Sequence, residues 1–219
     1  MKLCSEERSA TDLVRDAVRA EESGFDFAAI SDHFHPWVSA QGESPFVWSV
    51  LGAVAAATDE IEVGTAVTCP TVRMHPVIVA HAAATAASML PGRFFLGVGT
   101  GEWLNEHVTG GRWPRPGERR AMLREAVGLM RELWSGESVT HRGEHFVVEG
   151  ATLYSLPDDP IPVFVAAGGE EAATLAGEVG DGLIGTSPEG AIVSTFRKGA
   201  GSEAHAYAEI TVCWSDDPE

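Results

Sequence analysis

Amphipathic helical segments alternate with short apolar runs along this chain, and that alternation constrains the fold more than any other feature. "TDLVRDAVRAEESG" sets Leu13, Val14, Ala17 and Val18 on one helical face, with Thr11 placed to cap its start and Gly24 to end it, and "FDFAAI" follows as a buried strand. The pattern repeats in "PFVWSVLGAVAAAT" then "IEVGTAV", and in "PVIVAHAAATAASM" then "RFFLGVG". "RRAMLREAVGLMRELW" carries Met122, Leu123, Ala126, Val127, Met130, Leu133 and Trp134 as one stripe. After it come the strand "IPVFVAA", the helix "EEAATLAGEV", the strand "DGLIG", a short helix in "GAIVSTFRKG" and the strand "YAEITVCW".

Such repetition predicts a parallel sheet with helices outside it. Counting "MKLCS" as an opening edge strand gives seven strands. One stretch departs from the rhythm. Residues 138–157, "SVTHRGEHFVVEGATLYSLP", alternate like a β-hairpin and form an excursion from the main sheet. No Pro-, Gly- or Ser-rich linker divides the chain, so residues 1–219 are expected to make one domain. A complete (β/α)8 barrel needs ~250 residues, whereas this sequence has 219 and stops after its seventh predicted strand. The expectation is a (β/α)8 TIM barrel incomplete at its C-terminus, lacking the eighth strand and the closing helices.

Charge and cysteine content narrow the partners. With 32 acidic and 15 basic residues the formal net charge is −17, which disfavours nucleic acid and anionic membranes. His81, Thr85 and Ser88 interrupt the most apolar stretch, so no membrane span is expected, and "MKLCSEERSATD" turns charged too early for a signal peptide. Three scattered cysteines, Cys4, Cys69 and Cys213, do not form a disulfide framework; the expected compartment is the reducing cytoplasm.

In parallel α/β barrels the chemistry gathers where strands end, at the C-terminal rim. After the second strand come Asp32, His33, His35 and Trp37; after the third, Thr68, Cys69, Pro70 and Thr71; after the fourth, Glu102 and Asn105. The fifth strand ends at Gly168 and Gly169 and the sixth at Thr186, Ser187 and Glu189. Each has a plainer reading. Asp32 could cap a turn, His33 could be a structural histidine, Glu102 an exposed acid and Cys69 a packing residue. Adjacency favours the functional reading for the first two, because a carboxylate fixes an imidazole tautomer and raises its pKa. Glu102 follows "GVGTG", where backbone can approach a ligand. Trp37 and Trp103 suit pocket walls that stack on a planar ligand. His75, His107, His141 and His145 are assigned no function. A rival metal reading rests on "HFH", His33 and His35, which could chelate a divalent cation. Later strand ends offer no histidine to complete such a site.

Taken together, "ISDHFHPW", "GTAVTCPTVRMHPVIVA", "GRFFLGVGTGEWLNEH", "RWPRPGERRAMLREAVGLMRELWSGE" and "AGEVGDGLIGTSPEG" resemble the luciferase-like, coenzyme F420-dependent oxidoreductases, over nearly the whole chain and in order. Within them the chain is most similar to the F420-dependent glucose-6-phosphate dehydrogenase subgroup. The resemblance implies a barrel of the bacterial luciferase-like type and coenzyme F420 as cofactor, with FMN as the alternative in the wider family. It implies hydride transfer between an alcohol or sugar carbinol and the deazaflavin. His33 and Glu102 would be the catalytic acid/base pair, and Asp32 would contact the ring system. A non-prolyl cis peptide would lie behind the ring at Ala66–Val67. Asn105, Gly168 and Gly169 would hold the cofactor tail, and Trp37 and Thr186 would meet substrate. A homodimer is implied for the full-length protein. A non-catalytic remnant that only binds the cofactor is the alternative of another class.

Two departures bear on the substrate. Glu189 stands where the subgroup has a phosphate-binding lysine, so a phosphate dianion would meet repulsion and glucose 6-phosphate is disfavoured. Cys69 stands where the family has a cofactor-contacting threonine.

Overall fold

The computed structural model describes residues 1–212. In chain order these form β1 (Lys2–Leu3), α1 (Ala10–Glu22), β2 (Phe27–Ile30), α2 (Val47–Ala57), β3 (Glu62–Thr65), α3 (Pro76–Met89) and β4 (Phe94–Val98). There follow α4 (Trp103–Glu106), a 3-10 turn at His107–Thr109, α5 (Pro116–Leu133), β5 (Val139–Arg142) and β6 (Val147–Ala151). The described part closes with β7 (Val163–Ala166), α6 (Glu170–Val179), β8 (Gly182–Gly185), α7 (Gly190–Ala200) and β9 (His205–Ala208).

Seven strands make one parallel sheet in the order β1-β2-β3-β4-β7-β8-β9, so every strand end carrying a candidate residue lies on the same edge. This is the curled sheet of an incomplete barrel. The predicted excursion is the antiparallel pair β5-β6, interrupted by an irregularity between Val139 and His141. Two local expectations are corrected. Ser9, not Thr11, caps α1, because its side chain accepts from the Asp12 N–H while Thr11 already lies inside the helix. The last strand begins at His205 rather than at Tyr207 and ends at Ala208; the final two residues of "YAEITVCW", Cys213 and Trp214, lie outside the described residues.

Helices cover the outer face with small and branched side chains. Leu13, Ala17 and Ala20 of α1, Val50, Leu51 and Val54 of α2 and Leu123, Ala126, Val127 and Met130 of α5 are all buried in a continuous core. Alanines 80, 83, 84 and 87 of α3 are buried there too, which lets that helix lie close against the strands.

The inner face is aromatic. Phe27 stacks on Tyr207 at 4.4 Å between centroids, Tyr207 stacks on Phe164 at 5.0 Å, and Phe95 meets Phe164 edge-on at 5.3 Å. These rings come from β2, β9, β7 and β4, so one cluster spans the curl from side to side. Glycines make the room: a Cβ on Gly64 would lie 2.4 Å from the Phe95 ring, and one on Gly182 would lie 2.2 Å from Phe164. Lys2 Nζ and Glu209 Oε1, 3.0 Å apart, further link β1 to the segment after β9.

This packing predicts that Gly182→Ala lowers unfolding free energy by about 1–3 kcal/mol through overpacking. Adding Phe164→Leu should recover part of the loss. Urea unfolding of the single and double variants measures both; an unchanged midpoint for Gly182→Ala would remove the fit from the account.

Candidate active site

Inside the curl, above the aromatic floor, lies a cavity of about 530 Å3. Phe27, Phe95 and Tyr207 line its base, and its upper wall includes Asp32, His33, Ala66, Val67, Cys69, Glu102, Gly168 and Thr186. Eight of the residues singled out in the sequence therefore share one space. Asn105, Gly169 and Trp37 do not line it.

His33 and Glu102 face one another, Nε2 to Oε1, at 3.9 Å. That exceeds hydrogen-bond length, so neither group saturates the other. The far nitrogen of His33, Nδ1, lies 2.5 Å from Glu6 Oε1. The approach is off the N–H direction, which makes it a charge contact more than an aligned hydrogen bond. Burial pushes the Glu6 carboxyl up, but His33, the Glu6 backbone N–H and the Cys4 thiol outweigh it and hold the acid at about 2. An ionised Glu6 therefore faces Nδ1 and leaves Nε2 for the cavity. Trp37 packs edge-on against the His33 ring, 4.9 Å between centroids, and is half exposed.

Asp32 is buried and occupied within the protein. Its Oδ2 accepts from Thr68 Oγ1 at 2.8 Å and its Oδ1 accepts from Arg73 Nη2 at 2.8 Å. Thr68 directly follows the cis peptide bond Ala66–Val67, which the structure contains at the expected place. Gly99 lies against the Val67 side chain: a Cβ there would sit 2.7 Å from Val67 Cγ2. Asn105 is also used internally. Its Oδ1 accepts from the N–H groups of Phe34 and His35, both at 2.7 Å, and its Nδ2 donates to Glu102. Asn105 thus joins the loop that follows His33 to Glu102. Gly168 borders open space where a side chain would project, while Gly169 precedes α6 as its N-cap. The Cys69 thiol is pushed well up by burial and by Glu106, so it is a packing thiol and no nucleophile at neutral pH.

The two imidazoles of "HFH" take separate partners. His35 Nδ1 donates to the Leu104 carbonyl at 3.0 Å and its ring stacks near His107. Among the described residues no group of three or more His, Cys, Asp or Glu could hold a metal ion, and no helix is long and apolar enough to cross a membrane.

Three site residues escaped the sequence reading: Glu6, Arg73 and Glu106. Glu6 follows β1, so the strand-end rule extended to the first strand would have found it. Arg73 and Glu106 sit within quoted motifs, but a buried ion pair leaves no trace in periodicity.

A curled parallel α/β sheet whose cavity holds an opposed imidazole and carboxyl defines a small-molecule enzyme site of the barrel class. The chain belongs to the luciferase-like monooxygenase family, whose model matches residues 3–219. F420-dependent glucose-6-phosphate dehydrogenases of Gordonia bronchialis and Mycobacterium tuberculosis are each 43% identical over the whole chain, which spans 69% of their length. Among solved structures, an F420-dependent secondary alcohol dehydrogenase in complex with an F420–acetone adduct superposes with a TM-score of 0.89 at 36% identity. That match covers 94% of this chain and 66% of that one. The F420-dependent tetrahydromethanopterin reductase of Methanopyrus kandleri shares the fold with a TM-score of 0.81 at 23% identity, covering 95% of this chain and 64% of that one.

The Glu6 acid has a stability consequence. Its folded value of about 2 lies below the ordinary 4.5, so its contribution is complete above pH 4.5 and is lost as pH falls through about 2. Glu6→Gln should flatten the acid limb of stability against pH in that window, measured by urea midpoints. An unaltered acid limb would contradict the pairing.

Proposed function

We propose that this chain works as a coenzyme F420-dependent oxidoreductase acting on the CH–OH group of an alcohol or sugar. The observation that carries this reading is the 3.9 Å opposition of His33 and Glu102 across one cavity. The likeness to F420-dependent dehydrogenases supports the cofactor. At about 530 Å3 the cavity lies in the size range of small-molecule sites. Gly99 and Val67 both line it, and the absence of a Cβ at Gly99 is what lets the Val67 side chain pack there. Solved FMN-containing relatives, such as a Pseudomonas putida Baeyer-Villiger monooxygenase constituent at 21% identity, share the fold alone.

When bound, F420 supplies the centre that accepts or returns a hydride. The protein manages the protons. With Nδ1 turned toward an ionised Glu6, His33 uses Nε2 to take the hydroxyl proton of an alcohol, and Glu6 stabilises the imidazolium that results. Glu102, more exposed than His33 and steadied by Asn105, serves as the second proton-transfer group. Ala66, Val67, Gly168 and Gly169 offer backbone to the cofactor, Asp32 fixes the wall beside it, and Cys69 packs behind it. Trp37 and Thr186 address substrate from the rim.

The substrate expected is an uncharged alcohol or sugar rather than glucose 6-phosphate. Glu189 stands at the start of α7, its carboxylate accepting from Ser187 Oγ at 2.9 Å, in the loop that also holds Thr186. A carboxylate there repels a phosphate dianion. A cytoplasmic location and a homodimer of the full-length protein belong to the same reading.

His33→Ala and Glu102→Gln should each lower kcat by about 10²–10⁴-fold while leaving F420 affinity unchanged. Loss of F420 absorbance with alcohol gives the rate and fluorescence quenching gives the affinity, with FMN as the control ligand. Wild-type rates in either variant would remove that residue from the chemistry.

A further inference from the structure

Arg73 lies in the loop after β3, among buried acids, and no part of the proton chemistry uses it. Its side chain is 8% exposed, and the carboxylates of Asp32 and Glu106 beside it are 1% and 2% exposed. We infer that Arg73 is a positioning residue, which sets the spacing of His33 and Glu102 by tying the loop of one to the turn of the other. The inference rests on the function proposed above.

On one side, Arg73 Nη2 donates both to Asp32 Oδ1 at 2.8 Å and to the Asp32 carbonyl at 2.9 Å. Asp32 immediately precedes His33, so this pair of bonds fixes the backbone from which the imidazole projects. On the other side, the Arg73 backbone N–H donates to Glu106 Oε2 at 2.8 Å, and its Nε lies 3.5 Å from Glu106 Oε1 as a charge contact. Glu106 in turn supports the turn that carries Glu102. Gly101 has φ +71°, and a Cβ there would lie 2.7 Å from Cys69 Sγ and 2.8 Å from Glu106 Cγ. The turn therefore rests directly on the Cys69 and Glu106 side chains. The Glu106 N–H also donates to the Glu102 carbonyl at 3.2 Å.

A buried ion group of this kind is poor evidence for stability, since apolar replacements often match it. What it supplies is direction. The planar guanidinium reaches one carboxylate and one carbonyl with fixed geometry, which a lysine cannot reproduce. Burial raises the Glu106 carboxyl despite Arg73, whereas the two acids together raise the guanidinium against its own burial. Asn105 joins the same loops through the backbone of Phe34 and His35. Arg73 acts beneath it, on the residues next to each catalytic group.

Arg73→Ala and Arg73→Lys, measured against wild type, test the inference. Misplacing the pair should lower kcat by about 10²-fold in Arg73→Ala with F420 affinity unchanged. Guanidinium at non-denaturing concentration, but not methylammonium, should restore part of it. In the cofactor-free protein the His33 Cε1–H resonance should move in Arg73→Ala and return with guanidinium. Wild-type kcat in a folded variant overturns the inference. So does a loss of kcat and F420 affinity together without guanidinium rescue, and so does failure of both variants to fold, which would make the role structural. If wild type binds no F420, the proposed function fails while the His33 resonance still decides the role of Arg73.

Discussion

The aromatic cluster on the inner face packs the two sides of the curled sheet against one another, directly below the loops that converge on the cavity. Phe27, Phe95, Phe164 and Tyr207 come from strands on both sides of the curl. Their ring contacts are possible because Gly64 and Gly182 present no Cβ to them. With the floor filled in this way, the ends of β2, β3, β4, β7 and β8 surround one cavity instead of fanning out. The site thus inherits its geometry from apolar packing several residues below the chemistry.

Above the floor, acidic residues dominate, and each is handled by a different device. Glu6 is buried and kept ionised by His33 and by its own backbone N–H. Asp32 is divided between a hydroxyl and a guanidinium. Glu106, raised by burial, shares the same guanidinium. Of these four acids Glu102 alone keeps substantial exposure, and the Asn105 amide donates to it. Three carboxylates are thereby committed to holding groups in place, and Glu102 is the one that the proposed function assigns to proton exchange.

Much of the fold was legible because apolar periodicity records which face of each element meets the core. The bounds of α3 and α6 match their sequence segments residue for residue. The hairpin stood out because its alternation broke the rhythm. Caps and edges were harder: Ser9 outcompetes Thr11 by a single hydrogen bond of 3.2 Å, and β9 gains His205 by pairing with Gly182, a partner distant in sequence. At the site, the strand-end rule found His33, Glu102 and the cavity wall. It also pointed to Asn105, whose bonds to Phe34, His35 and Glu102 across two loops could not be read from the sequence. Arg73 and Glu106 were invisible for a related reason, since charge burial is a property of the assembled rim.

The account's central claim is that His33 and Glu102 act on the same reacting molecule across one cavity. A kinetic double-mutant cycle on His33→Ala and Glu102→Gln, following F420 absorbance with an alcohol substrate, tests it most directly. Groups that serve one reaction as a unit give losses far from additive, so the double variant should be little slower than the slower single variant. Losses that simply multiply would show two independent sites of action and would contradict the shared cavity as the seat of the chemistry.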